Sequence, residues 1–269
     1  MMQDTEPRHM EVARVVQLTD CHLGPDPDFT LAGIRTRQTF TEVLDAIRRE
    51  RDPVEMVMAT GDIAAKGNVD AYRLFLREMR ESGLPFAWLP GNHDDFRLMQ
   101  ESVHAAPYWP VLDMGEWRLV SLNTAVPGRV GGLLSREELS FLRNTLSREH
   151  RHPVAIFMHH PPLDIGCAWL DEQKVANSDE LAGILREAGN IKAIFTGHVH
   201  QPVATEFAGI PLFTTPSTCF QFAADSDDFA LDDAPPAYRR IELYANGLFR
   251  TELVSVASSQ RVDTQISGY

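Results

Sequence analysis

At 269 residues with 43% apolar side chains, the chain can bury a full core, which excludes disorder and fits one large domain spanning residues 1–269. Its net charge of −13 opposes a nucleic-acid or anionic-membrane partner, since both demand a basic footprint. No apolar stretch between Met1 and Glu11 has signal-peptide length, and no run nears the roughly 20 apolar residues of a membrane span, so a cytoplasmic location is expected.

In chain order, the β-branched run from Val12 to Leu18 predicts a first strand, and Phe40, Val43, Leu44 and Ile47 mark the apolar face of a helix. Met56 to Ala59 predicts a second strand, followed by a helix with Tyr72, Phe75, Leu76 and Met79 on one face. A third strand lies between Pro85 and Pro90 and ends at Gly91-Asn92-His93-Asp94-Asp95, before a helix opening at Phe96. Trp117 to Leu122 is a further strand, and Ser135-Arg136-Glu137-Glu138 has the capping pattern of a helix striped by Leu139, Leu142 and Leu146. Strands at 153–158 and 191–195 flank a helix carrying Leu181, Ile184, Leu185 and Ala188, with Gly189 as its stop. From Pro202 onward the pattern turns to short strands, with Ala208-Gly209 and Asn246-Gly247 as hairpin signals, so a C-terminal β-rich elaboration is expected from about residue 202. The segment from Ala223 to Pro236 reads as an exposed loop. This alternation of strand and helix implies an α/β fold with covered sheets.

The ends of the strands carry the chemistry. Asp20-Cys21-His22 follows the first, Gly61-Asp62 the second, Gly91-Asn92-His93 the third, His159-His160 a later one and Gly197-His198-Val199-His200 the last. Ligands of α/β sheets bind beyond the carboxyl ends of the strands, so these groups converge. A solitary histidine is ordinarily a surface or satisfied core residue, which is the reading for His9, His104, His150 and His152. Extended backbone would put Asp20 with His22, and His198 with His200, on one face, with Cys21 and Val199 turned away. Cys21 suits a buried small hydrophobe better than a ligand, because a thiolate would be the one soft donor in a set of Asp, Asn and His. The three cysteines, Cys21, Cys167 and Cys219, are an odd number that suits a reducing compartment. Asp94 and Asp95 fit the favourable charge of a helix N-terminus.

Together, D-x-H, GD, GNH with a following acid, H and G-H-x-H resemble the motif series of the calcineurin-like metallophosphoesterases, with all five blocks in order from Asp20 to His200. The resemblance implies a four-layer fold of two mixed β-sheets flanked by helices. It also implies two divalent metal ions, one held by Asp20, His22, Asp62 and His200, the other by Asp62, Asn92, His159 and His198, with Asp62 bridging. His93 becomes the implied catalytic acid, and the substrate phosphodiester is placed against His22, Asp62, Asn92, His93 and His200. A hydroxide bridging the two ions is the implied nucleophile. Fe, Mn, Zn and Co all accept such an N/O set. The stretch after Asp62, Ile63-Ala64-Ala65-Lys66-Gly67, lacks the Asp-Arg pair of the protein serine/threonine phosphatase branch, which argues against a protein substrate and leaves the partner of His93 open.

A closer resemblance runs along nearly the whole chain. Gly166-Cys167-Ala168-Trp169-Leu170-Asp171, Asn177 with Glu180-Leu181, Thr215 to Phe222, Ala237-Tyr238-Arg239-Arg240 and Ser267-Gly268-Tyr269 are similar to blocks of the bacterial class III 3',5'-cyclic-AMP phosphodiesterases. Hydrolysis of cyclic AMP to 5'-AMP is thereby implied, with a homodimer as a possible assembly. Trp169, Phe220 and Phe222 suit either core or dimer packing or a wall facing the nucleobase, and Gln221 joins Trp169 and Phe220 as a candidate for adenine recognition. Two other readings stand beside this one. A broader phosphodiesterase would act on glycerophosphodiesters or 2',3'-cyclic nucleotides, and a metallophosphoesterase-like scaffold would only bind protein partners, although such a scaffold has no use for a complete ligand set.

Overall fold

The computed structural model describes residues 12–102, 108–147, 152–266 and 268. His9, His104, His150, Ser267 and Tyr269 lie outside the described residues. The elements run β1 (Val12–Leu18), β2 (Thr30–Leu31), β3 (Ile34–Arg35), α1 (Thr36–Arg48), β4 (Met56–Thr60), α2 (Val69–Ser82), β5 (Phe86–Leu89) and α3 (Phe96–Glu101). They continue with β6 (Val111–Met114), β7 (Trp117–Leu122), α4 (Arg136–Ser147), β8 (Val154–Met158), α5 (Ala168–Asp171), α6 (Ser178–Ala188) and β9 (Ile191–Thr196). The chain closes with β10 (Ala204–Phe207), β11 (Ile210–Thr214), β12 (Gln221–Phe222), β13 (Leu231–Asp232), β14 (Ala237–Tyr244) and β15 (Phe249–Ser255).

Two mixed sheets carry the fold, ordered β15-β14-β1-β4-β5 and β10-β11-β9-β8-β7-β6. Period-two alternation within buried strands sorts their side chains into layers. Val16, Leu18, Val57, Ala59 and Trp88 pack with Phe40, Val43, Tyr72 and Phe75 of α1 and α2 on one outer face. Val15, Met56, Met58, Ala87 and Leu89 instead meet Leu119, Ala155, Phe157, Ala193 and Phe195 between the sheets. The other outer face joins Val120, Ile156 and Ile194 to Leu142 of α4 and Leu181 and Leu185 of α6. The order helix, sheet, sheet, helix is the four-layer arrangement that the resemblance implies.

The strands after residue 202 are distributed between both sheets, β10 and β11 in the second and β14 and β15 in the first. Hairpins at Ala208-Gly209 and Asn246-Gly247 join them, as the turn residues predict. The stretch from Ala223 to Pro236 departs from its expected open loop, because Leu231 is buried and β13 pairs with β12. Leu231 and Phe229 both join the apolar cluster around Phe222, which draws that acidic stretch back onto the fold. No helix among the described residues is long and apolar enough to cross a membrane.

A polar tie crosses the inner layer beneath the sites at the strand ends. Gln17 Nε2 donates to Thr60 Oγ1 at 2.9 Å and to the Thr196 carbonyl at 3.1 Å, so one side chain binds both sheets. Thr215 donates to Gln17 Oε1 at 2.6 Å, and Arg239 Nη2 donates to the Thr214 carbonyl at 2.8 Å. Burial pushes Arg239 down to about 10, still charged at neutral pH.

Glu138, in the first turns of α4, accepts a hydrogen bond from the Asn123 amide at 3.3 Å, and burial pushes its carboxyl up to about 6. The native state therefore binds more protons than the unfolded chain between the ordinary Glu value and that raised one, and stability falls as pH rises through this window. Glu138→Gln is expected to be more stable than wild type at pH 8, by on the order of 1–2 kcal/mol. Urea midpoints should converge toward pH 3, where wild-type Glu138 is protonated in both states.

Candidate metal centre

The loops after β1, β4, β5, β8 and β9 meet at one edge of the two sheets. β1, β4 and β5 are mutually parallel, as are β7, β8, β9 and β11, so their carboxyl ends share an edge. Cross-links fix the loops to one another: Asp20 N donates to the Gly61 carbonyl at 3.0 Å, His22 N to the Asp62 carbonyl at 2.9 Å, and Gly197 N to the His159 carbonyl at 3.0 Å. His198 N donates to Asp20 Oδ2 at 3.0 Å, binding the last loop to the first.

The backbone here is not the extended form expected from spacing. Asp20, His22, Asp62, His198 and His200 all have positive φ, between 44° and 68°, a region costly for residues with a Cβ. Tight left-handed turns, rather than alternation along a strand, bring Asp20 beside His22 and His198 beside His200. Cys21 and Val199 do point away, each into an apolar cluster. All three cysteines are free and buried, and burial pushes the Cys21 thiol well up, against a role as a thiolate ligand.

The side chains converge tightly. His22 Nε2 lies 3.3 Å from His200 Nε2, and His200 Nε2 lies 3.2 Å from Asp20 Oδ1. His159 Nε2 lies 3.1 Å from Asn92 Oδ1 and 3.4 Å from Asp62 Oδ2, while Asp62 Oδ2 is 3.7 Å from His22 Nε2. Asp62 thus stands between the His22 and His159 ends of the cluster. His159 Nδ1–H donates to the Thr60 carbonyl at 2.9 Å and His200 Nδ1–H to the Phe220 carbonyl at 2.7 Å, which turns both Nε2 lone pairs inward, as metal-ligating histidines are held.

Electrostatics matches a cation site. Burial alone would raise Asp62, but the charges of His159 and His93 outweigh it and hold the carboxyl well below its usual range. Asp20 is lowered in the same way, with His200 and His159 overcoming burial. Burial would lower His159, yet Asp62 and Asp20 lift it to about 9; burial carries His22 down to about 3. Asp20 Oδ1 and His198 Nε2 are buried without hydrogen-bond partners among the described residues. Orphaned acceptors in a carboxylate-imidazole cluster are what a bound cation satisfies. The donor atoms of Asp20, His22 and His200 lie within 4.8 Å of one another, as do those of Asp20, Asp62 and His159, so the cluster suits a dinuclear metal site.

Three features escaped the sequence reading. His93 Nδ1–H donates to the Ala65 carbonyl at 2.7 Å, so the unassigned partner of His93 is a backbone oxygen in the loop where the Asp-Arg pair is missing. No side-chain motif could have signalled it. Asp94 is no helix cap: its carboxylate accepts from the Ile63, Ala64 and Gly91 amides at 3.1, 3.0 and 2.9 Å, pinning two loops together. Burial and the Asp62 charge push it up to about 6. The cap belongs to Asp95, which accepts from Leu98 N at 3.1 Å. His160 lies beside His159 and His198 but is spoken for, accepting from Thr124 Oγ1 at 2.7 Å and donating Nε2–H to the Val130 carbonyl at 2.9 Å.

A cavity of about 260 Å³ opens at Asp62, Asn92, His93 and His198 and continues to Val130, Trp169, Leu170, Phe222 and Phe229. Phe220 and Gln221 are not on it. Phe220 is sealed against the His22 and His200 rings, and Gln221 spends its amide on Ser217 and Pro235. Their buried surroundings remove both from adenine recognition.

The sequence of residues 13–202 matches the family model of the calcineurin-like phosphoesterases. The chain belongs to that family. Among curated relatives of this calcineurin-like phosphoesterase, the 3',5'-cyclic adenosine monophosphate phosphodiesterase CpdA of Haemophilus influenzae is 35% identical, covering 93% of this chain and 92% of its own. The protein of the same name from Escherichia coli K12 is 34% identical, covering 95% of this chain and 94% of its own. Among solved structures, a dimetal phosphatase from Danio rerio superposes with a TM-score of 0.62 at 18% identity, over 91% of this chain and 99% of that one. At that identity the likeness speaks for the fold.

Gly91 shows how closely the phosphoesterase loops are packed. A Cβ there would overlap the Asp62 carboxylate and amide, so only glycine lets the two loops touch. Gly91→Ala is expected to fold but to lose on the order of 10²-fold in kcat/KM through displacement of Asp62. An unchanged kcat/KM, with a thermal melt matching wild type, would show that the contact is dispensable.

Proposed function

We propose that this calcineurin-like phosphoesterase hydrolyses 3',5'-cyclic AMP to 5'-AMP in the cytoplasm, using two divalent ions held by Asp20, His22, Asp62, Asn92, His159, His198 and His200. The carrying observation is end-to-end likeness to the two CpdA proteins together with a converged Asp, Asn and His cluster. We also read the chain, residues 1–269, as one domain, a reading supported by the strands after 202 joining both sheets.

When bound, the ions supply the positive charge that draws in phosphoryl oxygens and lowers the pKa of water toward neutrality. Fe, Mn, Zn and Co suit the donors, and availability decides among them. Asp62 and Asn92 set the position of the phosphodiester at the cavity mouth. His93, oriented by its Nδ1–H bond to Ala65, has Nε2 as the nitrogen that hands a proton to the departing 3' oxygen. A water proton goes to solvent as the water oxygen bonds to phosphorus and the bond from phosphorus to the 3' oxygen breaks, the 3' oxygen taking the His93 proton, which leaves the phosphate on the 5' oxygen. Among the described residues no Lys or Arg lines the cavity, which fits a singly charged diester better than a dianionic monoester. Further hydrolysis to adenosine should therefore be slow. The net charge of −13 disfavours a nucleic-acid substrate.

The test is turnover of cyclic AMP, cyclic GMP, 2',3'-cyclic AMP and a glycerophosphodiester by metal-reconstituted protein. Cyclic AMP is expected to have the highest kcat/KM. A glycerophosphodiester cleaved with higher kcat/KM would transfer the assignment to the broader phosphodiesterase.

A further inference from the structure

The proposed reaction uses only one end of the 260 Å³ cavity; the other end is aromatic and takes no part in the chemistry. Trp169 meets Phe222 edge-on, with ring centroids 4.9 Å apart at 83°, and meets Phe229 at 5.5 Å and 64°. Phe222 in turn stacks on the His200 imidazole, with centroids 4.3 Å apart. An unbroken series of rings therefore leads from a candidate metal ligand to the outer wall. Trp169 Nε1 is shielded from solvent, so the cavity meets ring carbon rather than the indole N–H.

Trp169 is braced from several sides. The Asp171 carboxylate accepts from the Ile165 amide at 2.6 Å and the Gly166 amide at 3.3 Å, closing the turn that carries it. Gln173 Nε2 donates to the Trp169 carbonyl at 3.2 Å, and Cys167 Sγ donates to the Ser226 carbonyl at 3.3 Å, tying that turn to the loop bearing Phe229. Val130, the exposed apolar lip of the same cavity, is held by the hydrogen bond from His160. Apart from Gln173 this end of the cavity is aromatic and aliphatic, with no cation among the described residues lining it, so stacking is the main contact it offers a planar ring.

We propose that Trp169, backed by Phe222 and Phe229, is the base subsite of this enzyme, taking the nucleobase by stacking while the phosphoryl group lies against Asp62, Asn92, His93 and His198. This rests on the phosphodiesterase reading above. The product 5'-AMP and ribose 5-phosphate differ only by the base, so their ratio as competitive inhibitors isolates the wall. With methyl p-nitrophenyl phosphate as reporter substrate and metal-reconstituted protein, 5'-AMP is expected to bind wild type about ten-fold or more tighter than ribose 5-phosphate. Trp169→Ala should bring the two inhibition constants within about three-fold of each other, and Trp169→Phe, which keeps an aromatic face, should retain most of the preference. A general distortion would weaken both inhibitors together and leave their ratio intact. An unchanged ratio in Trp169→Ala, or no preference in wild type, overturns the base subsite. Cyclic AMP turnover by wild type, measured alongside, judges the cyclic-nucleotide reading separately, because the inhibitor ratio needs only turnover of the reporter diester.

Discussion

Asp62→Ala is expected to be the most damaging single ligand change, with turnover of cyclic AMP reduced by more than about 10⁴-fold, beyond the ~10²–10⁴ that loss of a general acid alone brings. Its carboxylate stands between the His22 and His159 ends of the cluster, at 3.7 and 3.4 Å, so one substitution removes a donor from both proposed ion sites. Asp62 Oδ1 also accepts the His93 amide at 2.9 Å, which couples the proposed ligand to the loop of the proposed acid. Metal content measured by mass spectrometry should fall with activity. A variant that keeps two ions per chain and more than a tenth of wild-type turnover would remove Asp62 from its bridging place.

His93→Ala should retain both ions yet lose about 10²–10⁴-fold in kcat on cyclic AMP, the usual worth of a positioned acid. The loss should shrink for p-nitrophenyl diesters, whose leaving group departs without a proton. Equal losses on good and poor leaving groups would rule out proton transfer and leave only charge stabilisation to His93. The bond to Ala65 makes the prediction specific, because Nδ1 is committed and the transferable proton must come from Nε2.

The parts of the fold legible in the sequence are those where both faces of an element are covered. Val154 to Met158 and Met56 to Ala59 read as buried strands because alternate residues face a helix layer and the inter-sheet layer, making the run continuously apolar. The site was legible as a set of strand endings for the same reason. What the sequence hid depends on few residues. β2 with β3 and β12 with β13 pair over two residues each, too short for any periodicity, and α5 spans four. The left-handed turns at Asp20, His22, Asp62, His198 and His200 carry only a weak propensity signal, since Asp and His are merely enriched in that region and tertiary packing decides where they adopt it. Gln221 stood among the candidates for adenine recognition, yet its hydrogen bonds to Ser217 and Pro235 close it within the loop. Asp94 looked like a helix charge by position, but its carboxylate accepts from Gly91 in its own loop and from Ile63 and Ala64 in a loop distant in sequence, a meeting no local pattern signals.

The most direct measurement is a time course of cyclic AMP with the chelated protein, then with the same protein after a divalent transition metal is restored, products being resolved by phosphorus NMR. No turnover is expected before metal, and after it 5'-AMP as the product, with no 3'-AMP and little of the inorganic phosphate that further hydrolysis to adenosine would release. Undiminished turnover with metal content near zero, or 3'-AMP as the product, would contradict the account.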